Sequence, residues 1–301
     1  MADYSTLLSP EIWAFIRASE AAYPADAATA PIEAQRGYYD ALCAKFDQPH
    51  PKGIRVENFA LDELAMRRYH PTSPRGDVLY LHGGGFVVGG LESHDAICAE
   101  IAHHAQARVL AVDYRLAPEH RHPAALEDCT RAYHWLSEQS DSPIILVGDS
   151  AGATLAAAIT HRFRQNARIK GQALIYPWLG DGLDTPSCSI HAHAPMLTTD
   201  DMHFYLATIQ DPATRSGVDD LFVLNDADVG QLPPTFILTA ECDPLASDGH
   251  IYAARLVDAA IAVDLYRGTG LVHGFLRARF MAPEAAAAYS KLQSAISAML
   301  D

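Results

Sequence analysis

No apolar run approaches the roughly 18 residues that a membrane-crossing helix needs, so none is expected in this chain of 301 residues. Cations are also scarce. The sequence has 22 Lys and Arg against 37 Asp and Glu, a formal net charge of −15. Phosphate backbones need clustered Lys and Arg, so no nucleic-acid partner is expected. An anionic membrane surface is excluded on the same ground. The acidity favours solubility, salt tolerance, or neutral and cationic ligands. Cysteine is sparse as well. Cys43, Cys98, Cys129, Cys188 and Cys242 are odd in number and widely spaced, without the close pairs of a zinc or redox site. They are expected in the core as reduced thiols, which suits a reducing compartment. The H-E-x-x-H pattern is absent, and neither a metal nor a cofactor is expected. Met1-Ala2-Asp3-Tyr4-Ser5 does not open a basic region followed by an apolar run. No signal peptide is therefore expected, and the expected location is cytoplasmic.

What is present is ordinary for a soluble globular protein: 49% hydrophobic and 20% charged residues. Residues 1–50 carry helical periodicity at Ile12, Trp13, Phe15 and Ile16, and again at Tyr38, Tyr39, Leu42 and Phe46. Pro24 and Pro31 separate the two stretches, and no strand signal appears. From Pro51 onward strand-like and helical runs alternate. The strands are expected at 54–60, 64–69, 78–81, 109–112, 144–147, 173–176, 236–239 and 263–266. The helices are expected at 94–106, 124–138, 151–165, 246–260 and 284–299. Such alternation gives an α/β fold, a mostly parallel sheet of about eight strands covered on both faces. A stretch rich in Gly, Pro, Asp and His near 180–220 breaks the rhythm and is expected to be an insertion.

Gly148-Asp149-Ser150-Ala151-Gly152 matches G-x-S-x-G. The apolar run 144–147 leads into it and a helical pattern leaves it, which is the strand–turn–helix context of a nucleophile elbow. The turn places Ser150 at the carboxyl end of the sheet, where ligands bind in open α/β folds. The helix amino terminus behind it favours developing negative charge. The bland alternative is a Gly-rich turn in which Ser150 caps a helix.

His82-Gly83-Gly84-Gly85-Phe86 follows the strand at 78–81. Glycines let backbone N–H groups approach a developing oxyanion, and losing one such donor typically raises the barrier by about 3–4 kcal/mol. The expected donors are Gly84, Gly85 and Ala151. A phosphate loop would need Lys-Ser or Lys-Thr after the glycines, and none follows. His82, Gly83 and Asp149 are expected to support the loop and not to react.

A serine nucleophile needs a base, and the base needs an orienting carboxylate. In enzymes with this elbow the chain order is Ser, then Asp or Glu, then His. Asp243 lies on the loop after the strand at 236–239. Glu241 and Asp248 compete with it, although Glu241 could end the strand and Asp248 falls in the next helix. His273 alone among 15 histidines lies in the loop after the last strand. His191, His193, His203 and His250 are expected at the surface.

Four blocks together resemble the bacterial hormone-sensitive-lipase-like carboxylesterases of the α/β-hydrolase fold. They are His82–Phe86, Asp113-Tyr114-Arg115-Leu116-Ala117-Pro118-Glu119-His120, Gly148–Gly152, and Asp243-Pro244-Leu245 with His273-Gly274-Phe275. They span about residues 75–280. The resemblance implies a serine carboxylesterase for short- to medium-chain esters, needing no cofactor. It also implies a helical cap, built from residues 1–50 and the insertion near 180–220, on a hydrolase core spanning 51–301. Many members of this family form homodimers through the edge strand near the C-terminus. The Asp113–His120 block is expected to be structural, with Arg115 and Glu119 available to pair. One departure lies at Ser247-Asp248-Gly249, where the family commonly has two acids before the glycine. Amide, lactone or carbamate hydrolysis by the same residues, or a non-catalytic receptor on this fold, are the alternatives. Phe86, Trp178, Met196, Met202, Phe204 and Phe222 could line the pocket or form the core of the cap.

Overall fold

The computed structural model describes residues 2–24, 27, 30–210, 218 and 220–301. Residues 211–217 and 219 of the expected insertion, and 1, 25, 26, 28 and 29 of the expected arm, lie outside the described residues.

Eight strands form a single sheet in the order β1-β2-β4-β3-β5-β6-β7-β8. They are β1 (Arg55–Leu61), β2 (Leu64–His70), β3 (Asp77–Leu81), β4 (Arg108–Val112), β5 (Ile144–Asp149), β6 (Ile169–Ile175), β7 (Thr235–Cys242) and β8 (Val263–Val272). β1 pairs with β2, and β2 with β4, in antiparallel fashion; every other pair is parallel. β3 and β5 are buried at every residue. This is why Val-Leu-Tyr-Leu and Ile-Ile-Leu-Val read as unbroken apolar runs, since helices cover both faces of a parallel sheet.

The described helices are α1 (Tyr4–Leu7), α2 (Pro10–Glu20), α3 (Ile32–Lys45), α4 (Asp95–Ala105), α5 (Ala124–Gln139), α6 (Ala151–Arg162), α7 (Pro186–Ile190), α8 (Thr199–Ile209), α9 (Ala246–Asp258) and α10 (Pro283–Ala298). One core layer packs α5, α6 and α9 against the sheet, and the other packs α2, α4 and α10 against the opposite face. The first eleven residues of α6 are buried. Its run of Ala and Gly lets the helix axis approach the strands closely. In α2, Ile12, Phe15 and Ile16 are fully buried, as the periodicity required, while Trp13 is only partly covered. All five cysteines are free and buried.

The last strand is longer than the sequence suggested. β8 continues through Gly268-Thr269-Gly270 to Val272, across a register shift opposite Ala240 and Cys242. Glu241 sits at this irregularity and accepts the Gly270 N–H at 2.7 Å, bridging the shifted register. Pairing with β7 thus carries a glycine-bearing segment that looks like a loop in isolation.

Candidate active site

The sharpest local feature is the turn between β5 and α6. Ser150 adopts φ 54°, ψ −124°, a conformation an L-residue seldom takes. It is held there by its N–H, which donates to the Ile175 carbonyl at 2.9 Å. Gly152 permits the turn, because a Cβ there would overlap the Leu81 carbonyl oxygen of the neighbouring strand. The strain therefore presents the Ser150 hydroxyl at the carboxyl end of the sheet.

There it meets the two residues that the chain order singled out. His273 follows directly on β8, and its Nε2 lies 2.9 Å from Ser150 Oγ. Its Nδ1 lies 2.7 Å from Asp243 Oδ2. Asp243 is completely buried on the turn after β7, and its Oδ1 accepts the Leu245 N–H at 2.9 Å. The competing acids are elsewhere. Glu241 bridges to β8, and Asp248 on α9 accepts the N–H groups of Leu179 and Gly180 at 2.8 and 3.0 Å. Burial pushes the Asp248 carboxyl up to about 7, against the pull of those two donors. Ser247, at the departure from the family pattern, ties the acid loop to α7. Its Oγ accepts from Ser187 N–H, while Ser187 Oγ accepts from Ser247 N–H and donates to the Pro244 carbonyl. Two serines make a connection here without a carboxylate.

The glycine loop after β3 is folded against the elbow. Val87 and Val88 N–H both donate to the Gly84 carbonyl at 3.0 Å. Gly84 has φ 127°, and a Cβ on it would overlap the Val88 carbonyl oxygen, so only glycine fits. Among the described residues, the N–H groups of Gly84, Gly85 and Ala151 donate to no protein acceptor. The Tyr205 ring of α8 packs directly on Gly85.

His82 and Asp149 sit beneath this loop. His82 is stacked on Tyr114 with ring centroids 4.2 Å apart, and its Nδ1 lies 2.9 Å from the Gly83 carbonyl. Burial, aided by the neighbouring His94, drives its pKa down to about 3, so the ring is neutral. Asp149 accepts from Tyr80 hydroxyl at 2.8 Å, Gly83 N–H at 3.1 Å and Tyr176 hydroxyl at 3.3 Å. Burial alone would raise its pKa, but His94, the Tyr80 hydroxyl and the Arg277 charge outweigh burial and hold it well below the usual carboxylate range. This buried anion on β5 ties β3, the residue just after β6 and the glycine loop together.

A cavity of about 760 Å³ opens onto Ser150 and His273. Residues of α2 and α3 (Ser19, Tyr39) and of α8 (Met202, Tyr205) supply walls, alongside Gly84, Gly85 and Trp178. Of the aromatic and methionine candidates, Trp178, Met196, Met202 and Phe204 line it. Phe86 and Phe222 instead back Trp178, at centroid distances of 6.1 and 4.9 Å. Two other expectations need correction. Arg115 and Glu119 do not pair with each other: Arg115 clasps Asp128 of α5, whose carboxylate is buried, and Glu119 pairs with Arg36 of α3. The turn points the two side chains at different elements. His191 is buried beside Tyr4, while His193 and His203 are exposed and His250 is half-buried. Tyr176, His94 and Arg277 were not singled out in the sequence. One His among 15, or one Arg four residues past His273, carries no local signal.

Comparison with known proteins agrees with this architecture. The profile of the alpha/beta hydrolase fold matches residues 78–277. The chain is 35% identical over 254 residues to the carboxylesterase NlhH of Mycobacterium tuberculosis, covering 80% of each chain. It is 36% identical over 232 residues to an ethyl acetate hydrolase of Pseudomonas putida, covering 71% of this chain and 72% of that protein. A crystal structure of an esterase from the bacterial hormone-sensitive lipase family superposes with a TM-score of 0.86 at 25% identity, over the whole of both chains.

Proposed function

The chain belongs to the α/β-hydrolase family, with its hormone-sensitive-lipase-like esterases, and is a carboxylic ester hydrolase; from this premise we propose that it acts through an acyl-enzyme on Ser150. The observation that carries the proposal is the contact chain from Ser150 Oγ through His273 to Asp243. In this mechanism His273 Nε2 takes the Ser150 proton as Oγ attacks the ester carbonyl. Asp243 holds the ring with its proton on Nδ1 and stabilises the imidazolium that forms. The N–H groups of Gly84, Gly85 and Ala151 receive the oxyanion, which their lack of protein acceptors supports. His273 then protonates the departing alcohol. Water, deprotonated by the same ring, attacks the acyl-enzyme and releases the acid.

The substrates in this reading are short- to medium-chain esters of small alcohols. A cavity of about 760 Å³ accommodates these, and the ethyl acetate hydrolase relative acts on a short ester. Residues 1–50 and the segment near 180–220 serve as the cap over a core spanning 51–301, which fits the walls that α2, α3 and α8 contribute. The proposed location is cytoplasmic; no helix among the described residues is long and apolar enough to cross a membrane. Ser150→Ala tests the mechanism. Hydrolysis of p-nitrophenyl butyrate should fall by about 10⁶-fold while the thermal unfolding curve is retained. A variant that keeps wild-type turnover would overturn the assignment.

A further inference from the structure

Among the described residues, Arg277 lines the cavity without a carboxylate in hydrogen-bonding reach. It lies on the 3₁₀ turn Phe275–Ala278, one turn beyond His273, and lines the same cavity as Ser150 and His273. Its Nη1 donates to the Ser93 carbonyl and its Nη2 to the Tyr39 hydroxyl, each at 2.9 Å. Nη2 also lies 3.4 Å from His94 Nε2, and the guanidinium stacks 5.4 Å from the centre of the Tyr39 ring. A guanidinium carries five N–H donors, so capacity remains. Among the described residues no acid lies within hydrogen-bonding reach of it; the buried Asp149 feels its charge only at longer range, with His94 Nε2 between them, 3.3 Å from Asp149 and 3.4 Å from Arg277 Nη2. Arg279, two residues on, forms a buried pair with Glu100. Tyr23 lines the same end of the cavity, near enough that the Arg277 charge opposes the upward push of burial on its hydroxyl.

We propose that Arg277 recognises a carboxylate on the substrate, so that the preferred esters are short ones carrying a free acid group. The inference deepens the reading of Ser150 as nucleophile and rests on it. The planar fork of a guanidinium matches a carboxylate bidentately, and in a shielded cavity the contact is stronger than in water. The carboxylate can come from the acyl part, as in a half-ester of a dicarboxylic acid, or from the alcohol part, as in an acyloxy acid. Glu20, Asp200 and Asp201 also line the cavity. Asp201 is engaged by Thr198 in the cap of α8, and Glu20 and Asp200 are exposed. These acids and the net charge of −15 oppose the long-range steering of an anion but leave the short-range contact intact.

The test compares kcat/KM of the full chain on monomethyl glutarate, 4-acetoxybutyrate and their uncharged matches, methyl pentanoate and butyl acetate. At least one charged ester should be favoured over its match by about tenfold, and Arg277→Gln should reduce that charged-to-uncharged ratio by about tenfold or more. Preference for monomethyl glutarate assigns the carboxylate to the acyl side, and preference for 4-acetoxybutyrate to the alcohol side. A wild type without preference for either charged ester overturns the inference. Equal losses on charged and uncharged esters in Arg277→Gln also overturn it, because they mark a purely structural role. Should that variant not fold, inhibition of the wild type decides: glutarate must compete and glutaramide must not, and equal inhibition or none refutes recognition. Absence of hydrolysis of all four esters would instead overturn the reading of Ser150.

Discussion

Asp243→Asn separates charge and tautomer from shape at the candidate site. The substitution is isosteric at a fully buried position, so the fold should persist. The two carboxylate oxygens have different partners: Oδ1 accepts the Leu245 N–H at 2.9 Å, and Oδ2 faces His273 Nδ1 at 2.7 Å. An asparagine has one acceptor and one donor to distribute between them. With its oxygen toward Leu245, the amide NH₂ faces Nδ1, which must then be unprotonated. The ring proton moves to Nε2 and points at Ser150 Oγ, where a base is required. The opposite amide orientation sets NH₂ against the Leu245 N–H and leaves a buried donor unmet, costing about 1–3 kcal/mol. The unproductive arrangement therefore dominates. Loss of the carboxylate also removes the charge that stabilises the imidazolium. Together these should lower kcat by about 10⁴-fold, or about 5.5 kcal/mol in the barrier. The assay is kcat on p-nitrophenyl butyrate at pH 7, with Tm as a control on folding. A folded Asp243→Asn variant within tenfold of wild type would refute the assigned role.

Asp149→Asn should destabilise the protein by about 3 kcal/mol in urea unfolding, since an amide cannot satisfy the hydroxyl and N–H donors that converge on this buried anion. Its folded pKa is depressed, so the stabilisation is present above the unfolded value of about 3.9 and is lost as pH falls through the lower folded value. The gap between wild type and variant should thus be constant from pH 8 to 5 and narrow below pH 4; a gap unchanged at pH 2.5 would contradict this. Asp248 has the opposite sign. Its folded pKa is raised to about 7, so its contribution is full below the unfolded value and lost as pH rises through 7. Raising the pH from 5 to 8 should cost the wild type roughly 3 kcal/mol that Asp248→Asn does not lose. Parallel unfolding profiles for the two proteins would show that Asp248 does not titrate in this range.

The strand–helix alternation was legible because β3 and β5, covered on both faces, spell out their burial as apolar runs. The elbow was legible because its requirements fall within five residues. Legibility failed where partners are distant. Gly268–Gly270 has the composition of a loop, yet pairing with β7 makes it strand. Arg115 and Glu119 are four residues apart and look complementary, but Asp128 and Arg36 take them.

The sequence by itself determined the nucleophile candidate, the glycine loop and the order of acid and base, because each rests on short-range backbone demands or on position along an alternating chain. Position along the chain favoured Asp243, and the tertiary structure shows the contact: Asp243, Glu241 and Asp248 lie within eight residues of one another, and which one meets His273 depends on the β7–β8 register and the packing of α9. Only the tertiary structure brought Arg277 to the cavity beside Tyr39, a residue 238 positions away. Such a meeting follows from how helices pack across the sheet, and no periodicity or motif in the chain encodes it.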